Sequence, residues 1–123
     1  VARLLFVVPP FVGHINPTVS LGAELARRGH DVAWAGPAAG VGPQLTSDQR
    51  LYDTNPEVDE PGLSGMLAGG VGQRGLPALK FLWEHALLPL ARAMRPGVER
   101  AVDAFDPEAV VVDQQALAGA VVA

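Results

Sequence analysis

The stretch Leu4-Leu5-Phe6-Val7-Val8-Pro9-Pro10-Phe11-Val12-Gly13-His14-Ile15-Asn16-Pro17 decides the fold. Residues 4–8 are apolar without alternation, the pattern of a strand buried on both faces and therefore of a parallel sheet. Asn16 offers an N-cap, and Pro17 suits a first helical position because the N–H that proline lacks is unpaired there anyway. From Pro17 the spacing predicts a helix with Thr18, Leu21, Gly22 and Leu25 on one stripe. Ser20, Glu24, Arg27 and Arg28 take its other faces, and Gly29 stops it. A second strand, residues 30–35, follows at once. A strand, helix, strand unit of this kind crosses over right-handedly, and its ligand end is the carboxyl edge of the strands, where His14 lies.

Beyond that unit, residues 36–75 are rich in Gly and Pro and carry an acidic cluster at Asp53, Glu57, Asp59 and Glu60. Only Arg50-Leu51-Tyr52 suggests a short strand, and the glycines from Gly62 to Gly75 predict mobile or functional loops. Residues 76–104 are helical in pattern, with Leu79, Leu82, Trp83, Ala86, Leu87 and Leu90 at the spacing of one buried stripe. Pro89 and the Pro96-Gly97 pair are expected to kink or divide that helix. A second strip, Phe81, His85 and Leu88, needs either another element or a ligand to cover it. Asp106-Pro107 then breaks the chain, residues 109–112 predict another buried strand with Asp113 at its carboxyl end, and residues 115–123 return to a helical pattern. The order of elements belongs to a doubly wound α/β fold, a mostly parallel sheet with helices on both faces.

At 123 residues the chain has room for one domain, residues 1–123. Its last helical stretch runs out at Val121-Val122-Ala123 without a cap or a basic last turn, so the chain reads as the front part of something longer. A net charge of −4, with no basic cluster beyond Arg27-Arg28, argues against nucleic acid or anionic membrane as the principal partner. The absence of cysteine excludes a disulfide framework and a thiolate zinc site. No apolar run approaches the roughly 20 residues of a membrane span, and a cytoplasmic protein is expected. His14, His30 and His85 show no metal-ligand spacing, and His30 is expected to begin a strand at the surface. The first strand-to-helix turn spells neither a dinucleotide fingerprint nor a P-loop, so no cofactor is expected.

His14 and Asp113 are far apart in sequence, yet each follows the carboxyl end of a predicted strand. In the usual strand order of doubly wound sheets those two strands are neighbours at the switch point, and the side chains meet. An imidazole held at one ring nitrogen by a carboxylate has the other free to accept a proton, the orienting logic of hydrolytic triads without their nucleophile. A base so held suits the activation of a substrate hydroxyl. The structural alternatives are a loop or capping histidine and an aspartate that only caps the following helix.

Gly13-His14-Ile15-Asn16-Pro17, followed by Leu21, Leu25 and Arg28-Gly29-His30-Asp31-Val32, resembles the amino-terminal domain of GT-B glycosyltransferases, in particular the bacterial family that glycosylates macrolide, enediyne and other polyketide antibiotics. Val110-Val111-Val112-Asp113 and the small-residue run Ala116-Leu117-Ala118-Gly119-Ala120 resemble the same family further along. The similarity spans residues 3–35 and 76–123. It implies inverting transfer of a sugar from a nucleoside diphosphate sugar to a hydroxyl of a hydrophobic natural-product acceptor. His14 is then the base, Asp113 holds and compensates the imidazolium, and the diphosphate leaves without an essential metal. The resemblance also makes this domain the larger part of the acceptor pocket, with Phe11, Val12, Gly13, Phe81 and His85 as candidate acceptor contacts. The nucleotide sugar is expected on a carboxyl-terminal domain absent from these residues, so the chain by itself is expected to be inactive. Two alternatives stand beside this reading: a noncatalytic α/β binding module, and a transferase acting on a lipid-linked acceptor. Self-association is left open.

Overall fold

In the computed structural model, which describes residues 1–55 and 74–123, the chain folds around strand β1 (Arg3–Val7). Parallel neighbours flank β1 on both sides: β2 (Asp31–Gly36) on one, β4 (Ala109–Val112) on the other. Strand β3 (Arg50–Asp53) extends the sheet beyond β2, giving the order β3-β2-β1-β4. The register sets Leu5 beside Ala33 and Val110, and Phe6 beside Trp34 and Val111. Alternate residues of β1 therefore serve opposite faces. Val8 leaves the strand but still donates its N–H to the Ala35 carbonyl at 3.1 Å.

Helix α1 (Val12–Arg27) and the short α2 (Ala38–Val41) cover one face, where Ile15 and Val41 pack with Phe6, Val8 and Trp34. After α3 (Gly75–Phe81) and a π-helical turn (Leu82–Leu87), helix α4 (Leu88–Phe105) covers the other face. There Leu90, Met94, Val98, Ala101 and Phe105 pack on Leu5, Val7, Ala33 and Ala35, joined by Ala118 of the last helix, α5 (Leu117–Val122). Each fully buried aliphatic or aromatic side chain in these layers contributes about 1.5–3 kcal/mol, so two apolar faces on β1 and β2 suffice to fix the layering. The fold is the expected doubly wound parallel sheet with helices on both faces.

Several local expectations are corrected. Helix α1 begins at Val12, not after an Asn16 cap, because the chain has already turned at Phe11, whose carbonyl accepts the N–H groups of His14 (2.9 Å) and Ile15 (3.0 Å). His14 thus stands in the first helical turn, and Pro17 lies inside the helix. Leu21 is exposed, since the face turned to the sheet runs through Ile15, Val19, Gly22 and Leu25, and Leu21 sits about 100° from Gly22. Gly29 does end the helix, at φ 91°, a left-handed conformation that suits glycine. His30 lies just ahead of β2, where its Nδ1 accepts the Ala2 N–H at 3.1 Å.

The region predicted as loops holds α2 and a 3₁₀ turn (Gly42–Gln44) besides the short strand expected at residues 50–52, which is β3; Glu57, Asp59, Glu60 and the glycines 62–72 lie outside the described residues. Strand β4 is an edge strand among the described residues, with Ala109 and Val111 exposed, where a strand buried on both faces was expected. The long helix is rewound as a π turn just before Pro89, which has no N–H to give the His85 carbonyl. Pro96-Gly97 does not divide it: α4 runs through both, held on either side by the burial of Met94 and Val98 in the core, and Gly97 lies directly on the Thr54 backbone, where a Cβ would clash. The predicted apolar stripe is buried only in its second half, at Ala86, Leu87 and Leu90; Leu79 and Trp83 are exposed. The closing helix is shorter than expected, because residues 113–116 form a turn.

Candidate active site

The carboxyl ends of β1 and β4 bring His14 and Asp113 together. Asp113 continues the ladder past β4, donating its backbone N–H to the Val7 carbonyl at 3.0 Å. Its carboxylate Oδ1 accepts the Gln115 N–H at 2.8 Å, which pins the side chain in the turn before α5. The second oxygen, Oδ2, lies 2.8 Å from His14 Nδ1. Both side chains are part-buried, at 32% exposure for His14 and 19% for Asp113, so the contact is shielded without being sealed. An ionised carboxylate only accepts, and the proton of this bond therefore sits on Nδ1 and leaves the Nε2 lone pair free. Asp113 also does what a capping aspartate does, for the turn at residues 113–116; the two roles use different oxygens.

Beside the pair lies a cleft of about 280 Å³ lined by Phe6, Val8, Gly13, His14, Pro17, Thr18, Val111, Val112 and Asp113. Its polar groups are the His14–Asp113 pair and the Thr18 hydroxyl, and its walls are otherwise apolar. Phe11 meets the His14 ring edge-on, with centroids 5.9 Å apart, and flanks the cleft without lining it. Val12 is half-exposed and does not line it. Phe81 and His85 stack on each other, with centroids 4.7 Å apart and planes 28° apart, on the α3 and π-turn segment; neither lines this cleft. The structure thus joins His14, Asp113 and Gly13, with Phe11 at their edge, and leaves Val12, Phe81 and His85 outside.

Sequence reasoning missed Phe6, Val8, Pro17, Thr18, Val111 and Val112 as cleft walls. Two signals could have found some of them. Thr18 is four residues after His14, on the same helical face once the helix is known to start early. Phe6, Val8 and Val111 share a sheet face through the period of two and the parallel register.

Among the described residues no cluster of three or more His, Cys, Asp or Glu could hold a metal ion. No described helix is long and apolar enough to cross a membrane.

No protein-family model matches the sequence, and no curated protein matches it either. Solved structures do. The glycosyltransferase SsfS6 of Streptomyces sp. SF2575 matches over 99% of this chain and 36% of its own, with a TM-score of 0.77 at 22% identity. The glycosyltransferase SnogD of Streptomyces nogalater matches over 96% of this chain and 30% of its own, with a TM-score of 0.72 at 25% identity. The spinosyn rhamnosyltransferase SpnG matches over 98% of this chain and 31% of its own, with a TM-score of 0.63 at 28% identity. SsfS6 and SpnG also have structures in complex with thymidine diphosphate. The chain spans about a third of the length of the structures it matches. The fold of this chain is that of a Rossmann-like half of a GT-B glycosyltransferase, and the chain resembles that group of enzymes over nearly its whole length.

Proposed function

We propose that this chain is the amino-terminal, acceptor-binding domain of an inverting glycosyltransferase, with His14 as general base and Asp113 as its orienting partner. The observation that carries the reading is the 2.8 Å contact between His14 Nδ1 and Asp113 Oδ2 at the carboxyl edge of a parallel sheet. That contact fixes the tautomer in which Nε2 accepts a proton.

An acceptor hydroxyl in the cleft gives its proton to Nε2 as its oxygen attacks the anomeric carbon of the donor sugar. The bond from that carbon to the diphosphate oxygen breaks on the opposite side, the electron pair leaves with the nucleoside diphosphate, and the configuration inverts. The imidazolium that forms lies against the Asp113 carboxylate, which offsets its charge. The nucleoside diphosphate sugar is held by a further domain outside these residues; the complexes of SsfS6 and SpnG with thymidine diphosphate support a donor carried on a nucleoside diphosphate.

The acceptor is a hydrophobic natural product. Support comes from the cleft walls, where Phe6, Val8, Pro17, Val111 and Val112 surround the reacting pair. At about 280 Å³ the cleft falls just below the size of whole-ligand pockets, which run about 300–1,000 Å³. It takes the reacting end of an acceptor, while Phe11, Val12, Phe81 and His85 contact its more distant parts.

The test is turnover of a nucleotide sugar and a hydrophobic hydroxyl acceptor by the protein that joins this chain to its donor domain. His14→Ala lowers turnover by about 10²- to 10⁴-fold, the range for loss of a general base, and leaves acceptor affinity near wild type. Near wild-type turnover in a folded His14→Ala protein contradicts the assignment.

A further inference from the structure

The hydroxyl of Thr18 links helix α1 to strand β2 beside the cleft, and nothing in the base mechanism uses it. Thr18 Oγ1 accepts the indole N–H of Trp34 at 3.0 Å and donates to the Ile15 carbonyl at 2.6 Å. Trp34 is buried in β2, stacks on Phe6 with centroids 5.5 Å apart, and lies under Gly22 of α1, where a Cβ would stand 2.5 Å from the indole ring. Four residues before Thr18, on the same side of the helix, is His14, and both side chains line the one cleft.

The first turn of α1 needs such a tie. Pro17 carries no N–H, so the Gly13 carbonyl loses the helical bond it would receive from residue 17. The turn that carries His14 is therefore joined to the rest of α1 by one bond fewer than a regular helix supplies. Thr18 hydrogen-bonds a carbonyl of that weakened turn and is itself fixed to a buried ring of the sheet.

We propose that Thr18 is a positioning residue: its hydrogen bond to Trp34 ties the first turn of α1 to β2 and so holds the His14 imidazole in register with Asp113. The inference rests on His14 as the base, but it concerns the orientation of the ring and is tested without turnover.

The experiment uses this chain, labelled for ¹⁵N and ¹³C detection of the histidine ring, at a pH where His14 is neutral. In the unaltered chain His14 is the Nδ1–H tautomer, and the Trp34 indole proton is protected from exchange with water. Thr18→Val keeps the side-chain shape and removes the hydroxyl; the Nδ1–H population then falls toward the Nε2–H preference of free histidine. Thr18→Ser restores the unaltered pattern. Leu25→Ala, which weakens the packing of α1 elsewhere, lowers the melting temperature without moving the His14 tautomer.

An unchanged His14 signature in Thr18→Val, or the same loss in Leu25→Ala, overturns the positioning role while leaving the base assignment standing. Fast exchange of the Trp34 indole proton in the unaltered chain overturns it without any variant. An Nε2–H ring in the unaltered chain removes the oriented base on which both readings rest.

Discussion

The edge of the sheet that carries His14 and the helical run from Gly75 to Trp83 both carry apolar side chains at regular spacing and meet opposite fates. At the edge, Phe6, Val7 and Val8 are buried between helices, and their register places His14 against Asp113. In the helical run, Leu76, Leu79 and Trp83 repeat at helical spacing and stay exposed, bordering an open apolar groove with Pro77 and Lys80. Apolar periodicity states which face seeks cover; what covers it is decided by the rest of the molecule. On the sheet the partners come from β2, β4, α1 and α4, so the pattern and the outcome agree.

The comparison can be broken within a single predicted stripe. Leu90 is 4% exposed and Leu79 is 51% exposed. Leu90→Ala is expected to cost about 2–5 kcal/mol in urea unfolding of this chain, the range for emptying a core leucine site. Leu79→Ala is expected to stay within about 0.5 kcal/mol of the unaltered chain, as surface substitutions do. An equal cost at the two positions means that Leu79 is covered in solution and that the contrast is false.

A smaller effect separates two glycines of α1. At Gly22 an added Cβ would lie 2.5 Å from the Trp34 ring, whereas at Gly13 nothing stands within 4 Å. Gly22→Ala therefore destabilises by about 1–3 kcal/mol through overpacking. Gly13→Ala is neutral or stabilising by up to about 1 kcal/mol, since alanine is the better helix former. Thermal unfolding of the two variants checks the order, and a reversal shows that α1 does not rest on Trp34.

The smallest effect belongs to the solvent side of α1. Hydrogen bonds from Arg27 and Arg28 hold the exposed Glu24 carboxyl below its ordinary range. Its folded pKa is depressed, so its contribution to stability is present above the unfolded carboxylate pKa and is lost as pH falls through the folded one. Glu24→Gln should match the unaltered chain in acid and fall slightly below it near neutrality, with the gap closing at about 1 M salt, where screening is strong. A gap that persists at high salt would place Glu24 in a buried network.

What was legible in the sequence follows from the same physics. The unalternating runs at 4–8 and 109–112 mark strands of a parallel sheet, and the strand order of doubly wound folds alone brings His14 and Asp113 to one edge. The start of α1 was not legible, because Asn16-Pro17 is a good cap signal locally and yields to a turn already closed on the Phe11 carbonyl. Nor was the exposure of Val111, since the burial of a strand depends on what lies beyond its outer edge. Thr18 carried only its spacing from His14; the partner that gives it a role, Trp34, comes from the next strand.

The central claim is that His14 and Asp113 act as one unit, and a double-mutant cycle on turnover tests it most directly. The protein that contains this chain and its donor domain is compared as the unaltered form, His14→Ala, Asp113→Asn and the double variant. If Asp113 works only through the imidazole, its replacement lowers turnover while His14 is present and changes little once His14 is gone. The double variant should then equal His14→Ala. Losses that multiply in the double variant would contradict the account, because they would show the carboxylate acting on the reaction by a route that does not pass through His14.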